Sequence, residues 1–299
     1  MSQETVYAIA SGKGGVGKTT STVNLGTALA QAGERVAVVD VDLGMANLAG
    51  FVSLSPDATT LHDVLTEDAS LEDATYRLAD NIVAVPSGTG LDDYAKASPE
   101  GLRDVVAELR ETYDFVFLDV GAGISHETVL PLGLADGVLV VSTPEPAAVQ
   151  DSRKTIELTD RADGEVEGLI VTRTHADSDV SYEEIAAQLG VPLIGAVPDD
   201  PAARESVYAG TPLVVYEPDG PAASAYRRIA ADLAGIDLEE RAKRRRGETT
   251  DTSDGGDADA PVSDSRDEAN DSDGDGDGDG REAAHDEVSS AITEAESDS

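Results

Sequence analysis

Ser11-Gly12-Lys13-Gly14-Gly15-Val16-Gly17-Lys18-Thr19-Thr20 is the stretch whose reading decides the fold of this chain. It follows a short apolar run, Val6-Tyr7-Ala8-Ile9-Ala10, and precedes a helical pattern. Strand, glycine loop and helix in that order are the context of a phosphate-binding loop. Glycines let the backbone curl until successive N–H groups point into one concavity. Lys18 then reaches the β- and γ-phosphates of a nucleotide, and the Thr19 hydroxyl ligates Mg²⁺.

A second lysine, Lys13, sits at a position where a plain nucleotide loop needs no charge. The chain has five Lys beside sixteen Arg, so two of the five lie in one loop. On these residues the chain resembles the MinD/ParA family of ATPases, whose deviant loop reads K-G-G-x-G-K-[ST]. The string S-G-K-G-G-V-G-K-T-T, followed by V-V-D-V-D-L-G-M-A-N-L, is similar to the MinD branch. The resemblance covers roughly residues 5 to 235. It implies that ATP with Mg²⁺ binds at Gly12, Lys13, Gly14, Gly15, Val16, Gly17, Lys18, Thr19 and Thr20. It also implies an ATP-dependent homodimer in which Lys13 crosses to the partner's nucleotide, and an unidentified protein partner that reads the dimer.

Two further carboxylate motifs extend the site. Val36-Ala37-Val38-Val39-Asp40-Val41-Asp42 ends a strand with two acids, and alternation in an extended chain puts Asp40 and Asp42 on one side, near the loop. The resemblance gives Asp42 the task of orienting or deprotonating the attacking water, and Asp40 that of supporting the Mg²⁺ shell. Asn47 falls at a switch-region position. Asp114-Phe115-Val116-Phe117-Leu118-Asp119 reads as a buried strand ending in a Walker B acid, Asp119, on the Mg²⁺ side. In the Val120-Gly121-Ala122-Gly123 that follows, Gly123 stands where the family senses the γ-phosphate. Val120 and Gly121 replace the Ser-Pro usual in MinD proteins. Val171-Thr172-Arg173 and Val197-Pro198-Asp199-Asp200 match the family's two adenine-side loops, which nominates Thr172, Arg173, Pro198 and Asp200.

Strand-like runs at 5–10, 35–40, 81–85, 114–119, 137–142, 167–172 and 193–197 alternate with helical patterns. The helices are expected at 18–32, 98–112, 126–134, 145–162, 180–189, 201–209 and 220–234. Continuous apolar runs such as Val138-Leu139-Val140-Val141 imply burial on both faces. The expected fold is an α/β class, a mostly parallel twisted sheet with helices on both faces, and its ligand lies outside the carboxyl ends of the strands. The ATPase domain is expected over 1–240, a basic helix end over 241–246, and a disordered acidic tail over 247–299.

Composition sets the exclusions. The formal net charge is −39; residues 247–299 hold 19 acidic side chains against 2 Arg, which leaves −22 on the first 246 residues. Scarce Lys and abundant acid suggest a salt-loaded cytoplasm, where screening relieves the self-repulsion. Without cysteine there is no disulfide, zinc thiolate or iron–sulfur ligand, which argues against a cluster-carrier role. The four His, at 62, 126, 175 and 285, lack metal-ligand spacing and read as ordinary surface or loop residues. Asp271 to Glu282 fits a calcium-loop pattern literally, yet Gly278 stands where such a loop needs an apolar anchor.

No signal segment and no apolar run near ~18 residues is seen, so a cytoplasmic protein is expected, at most peripheral at a membrane or cell pole. Ala284, Val288, Ala291, Ile292 and Ala295 keep helical spacing, but the opposite face is acidic. That is not the basic amphipathic helix with which membrane-binding MinD proteins end. A ParA-like DNA-segregation ATPase is the alternative reading. It has only Arg241 to Arg246 as a basic cluster, a poor match for nucleic acid on so acidic a chain.

Overall fold

In the first strand, β1 (Thr5–Ala10), Val6, Ala8 and Ala10 pack into one buried cluster while Tyr7 and Ile9 pack into another. The same split recurs in β2 (Val36–Asp40), where Val36 and Val38 oppose Ala37 and Val39. Every strand residue of both runs except Thr5 is buried, which is why the sequence reads as continuous rather than alternating. The structure is a computed structural model that describes residues 4–44, 48–51, 58–88, 99–123 and 126–236. The chain divides into two units, Met1–Thr249 and Thr250–Ser299, and all described residues fall in the first. The basic run, the acidic tail and Asn47 lie outside the described residues.

The remaining strands are β3 (Tyr76–Ala79), β4 (Ile82–Val85), β5 (Phe115–Asp119), β6 (Gly137–Ser142), β7 (Val166–Thr174) and β8 (Leu193–Pro198). They form one sheet in the order β3-β4-β2-β5-β1-β6-β7-β8. Only the β3–β4 pair is antiparallel; the other pairs are parallel. Between β5 and β6 the chain passes from one side of β1 to the other. The carboxyl end of β1 is therefore a topological switch point, where such sheets open a ligand crevice.

Helices α1 (Lys18–Ala32), α2 (Leu61–Leu65), α3 (Leu102–Thr112), α4 (His126–Leu134), α5 (Pro146–Arg161), α6 (Tyr182–Leu189), α7 (Pro201–Tyr208), α8 (Leu213–Tyr216) and α9 (Pro221–Ala234) cover the sheet. Leu25 and Leu29 of α1 join Tyr226 and Ile229 of α9 on one face. The other face is covered by Val105, Val106 and Leu109 of α3, Leu158 of α5 and Ile185 of α6. Among the described residues no helix is long and apolar enough to cross a membrane.

Among the described residues β3, α2, α8 and a short 3-10 turn at Leu48–Phe51 lie outside the sequence expectation. His62 also departs from it, because it is buried in α2 and its Nδ1 accepts the Gly88 N–H at 2.9 Å. It is a core residue that ties down the loop after β4, not a surface one.

Candidate nucleotide site

Between β1 and α1 the chain turns through Gly15 (φ +75°) and Gly17 (φ +95°), conformations that a side chain would strain. Gly17 is the N-cap of α1, so the loop ends on the positive end of the helix dipole. Gly12 lies so close to Asp151 on α5 that an added methyl carbon would meet its backbone at 2.3 Å. Val16 is buried and anchors the turn. Lys13 and Gly14 are exposed at the rim, whereas Lys18, Thr19 and Thr20 are half-buried at the start of α1.

Behind the loop stands Asp119, only 1% exposed at the end of β5. Its Oδ2 accepts the Thr19 hydroxyl at 2.5 Å and its Oδ1 accepts that of Thr22 at 3.3 Å. Burial raises its pKa above the ordinary aspartate value; Lys18 and the two hydroxyls pull it down, and the Asp42 charge adds to the rise. Asp119 is paired in register with Asp40, so the acids read from two separate motifs stand side by side at the carboxyl ends of neighbouring strands.

Asp40 and Asp42 play different parts. The strand ends at Asp40, yet Val41 and Leu43 pack in the same cluster as Ala37 and Val39, so the alternation carries past the strand end through Asp42. The fully buried Asp40 turns its carboxylate back on its own loop, accepting the N–H of Asp42 at 3.1 Å and of Leu48 at 2.9 Å. Its carbonyl accepts the Ser87 hydroxyl at 2.6 Å. Asp42 lies against Gly121, where an added methyl carbon would come 3.0 Å from its carboxyl carbon. Gly123, two residues on, has φ +138°.

On the other flank of the loop a cleft of about 390 Å³ is lined by Val16, Gly17, Thr20, Thr172, Arg173, Pro198 and Asp200. The sequence pattern nominates all seven. Asp200 also caps α7, accepting the Ala202 N–H at 3.0 Å, and reaches the Ala222 N–H at 3.4 Å. Arg204, Tyr208 and Tyr226 line the same cleft and carry no sequence signal, because each sits in an ordinary helical pattern. The buried Tyr226 hydroxyl lies 3.1 Å from Ser21 Oγ, and desolvation pushes its pKa up to about 12, so it stays protonated. Among the described residues no group of three or more His, Cys, Asp or Glu is placed to hold a metal ion.

A glycine cradle on a helix start, a lysine and a threonine at that start, and a cleft beside it define a phosphate-loop nucleotide-binding protein. Residues 7–213 match the CobQ/CobB/MinD/ParA nucleotide binding domain, and the chain belongs to that family, among the MinD/ParA ATPases. It is 40% identical over 240 residues to an uncharacterised ATP-binding protein of Methanocaldococcus jannaschii, covering 80% of this chain and 91% of that one. It is 34% identical over 241 residues to the septum site-determining protein MinD of Synechocystis sp., covering 78% and 90% of the two chains. The solved structure of the septum site-determining protein MinD from Pyrococcus horikoshii, complexed with Mg-ADP, superposes with a TM-score of 0.72 at 34% identity, covering 77% of this chain and 95% of that one.

Proposed function

We propose that this chain is a Mg²⁺-dependent ATPase that works as an ATP-driven dimerisation switch, MinD-like, in positioning the division site or another cell structure. The observation that carries the reading is Lys13. It is exposed at the rim of a loop whose own phosphates are served by the half-buried Lys18. A cation in that place is free to serve a second copy.

The loop amides and Lys18 hold the phosphates, and the purine enters the cleft between Thr172-Arg173 and Pro198-Asp200. Thr19 and Asp119 fit a hard divalent ion, because a hydroxyl and a carboxylate converge beside the cradle and Mg²⁺ takes few protein ligands. Thr19 and Asp119 would hold that ion, which would supply positive charge against the charge that develops on the phosphates. Asp42 orients the attacking water or takes its proton, and Asp40 holds the Asp42 backbone in place. The dimer is the state that an unidentified protein partner recognises.

Light scattering in molar KCl tests the switch. A dimer with ATP-Mg and a monomer with ADP-Mg are expected. Lys13→Ala is expected to keep nucleotide binding and lose both the dimer and turnover. A Lys13→Ala chain that still dimerises with ATP overturns the reading.

A further inference from the structure

Loop amides that point into an anion cradle turn their carbonyls outward, and those carbonyls need donors of their own. Two of them find donors on consecutive residues of one strand. The Thr172 hydroxyl bonds the Val16 carbonyl at 2.6 Å, with the Ser142 carbonyl at 3.2 Å. The Arg173 guanidinium donates to the Gly15 carbonyl at 2.6 Å. Thr172 is 4% exposed, so its bond is shielded from water.

The backbone at this point is unusual. Among the described residues, Glu67, Asn81, Asp163 and Arg173 are the non-glycine residues with positive φ. The first three lie in turns; Arg173, at φ +54°, lies inside β7. The ladder between β7 and β8 slips at the same place, between Val171 and Thr174. A left-handed non-glycine residue inside a strand is strained, and something must offset that strain.

We propose that Thr172-Arg173 is a positioning element: it braces the phosphate loop in its anion-holding shape through the Thr172 hydroxyl and one guanidinium nitrogen of Arg173. This rests on the nucleotide reading above. It refines the role of the two residues, since they line the purine cleft while acting on the phosphates.

Calorimetry with ADP-Mg and with AMP separates the two roles. Thr172→Val keeps the shape and removes the hydroxyl. Arg173→Gly removes the side chain while favouring the observed φ, so the fold is retained and thermal stability holds or rises. Each variant is expected to lose about five- to tenfold in ADP affinity, as for a lost hydrogen bond to a loop carbonyl, and less than about twofold in AMP affinity. Arg173→Lys is expected to fall between. Equal losses for ADP and AMP would assign the pair to the base, and unchanged ADP affinity in both variants would remove the brace; either result overturns the proposal. A wild-type chain that binds neither nucleotide would overturn the nucleotide reading itself, before the brace is tested.

Discussion

At the scale of single residues, two lysines and two aspartates divide the work by where they sit. In the proposed mechanism Lys18 is the side-chain cation that meets the phosphates within its own subunit, at the start of α1. Lys18→Ala is expected to abolish ATP binding, read by calorimetry in high salt. Asp42 lies against Gly121, and in the proposed mechanism it acts on the attacking water rather than on the phosphates. Asp42→Ala is expected to bind ATP normally and to slow the chemical step by roughly 10²- to 10⁴-fold, as for loss of a general base. The ATP-bound dimer should then accumulate in single-turnover and light-scattering measurements. A monomeric Asp42→Ala protein would count against both the base and the switch. The loop and Asp119 were legible in the sequence, since their backbone and burial demands are local. The brace was not: Thr172 and Arg173 stand 156 and 158 residues from the carbonyls they bond.

At the scale of elements, what holds the site in place is partly a short helix that no periodicity announces. Helix α8 has four residues, too few to display a 3.6-residue pattern. Its attachment is the buried Asn24 of α1, whose Oδ1 accepts the Val214 N–H at 2.9 Å while its Nδ2 donates to the Thr20 carbonyl at 2.8 Å. Asn24→Ala leaves that N–H buried without its acceptor, which costs about 1–3 kcal/mol. The denaturation midpoint should fall accordingly, with the slope unchanged. A midpoint within error of the parent would mean that α8 is held by Leu213 and Val214 packing alone. The same limit of pattern explains β3, whose residues alternate half-buried and exposed at the sheet edge instead of forming an apolar run. The central strands were legible because burial on both faces writes a continuous signal. Asp200 was legible as part of the strand-end loop that lines the cleft but not as the cap of α7, since a D-P step reads the same in either role.

At the scale of the whole molecule, charge is the property that no single contact accounts for. The chain carries −39, of which −22 belongs to residues 1–246. Ion pairs among the described residues are few and peripheral: Arg35–Asp114 with partner exposures of 55% and 17%, and Arg110–Asp136 with 31% and 46%. Exposed pairs of this kind are worth little and cannot balance such an excess. Like charges therefore repel across the folded surface over about 10 Å at 0.1 M salt and only about 3 Å at 1 M. Stability is expected to rise steeply as KCl increases from 0.1 M to molar levels, read as the thermal midpoint. Deleting residues 247–299 is expected to leave turnover nearly unchanged and to keep most of that salt dependence, because the repulsion sits in the folded part. If the truncated chain instead lost its salt dependence, the tail would be the source of the strain and would have to act on the domain. If neither form responded to salt, the acidic surface would serve solubility alone.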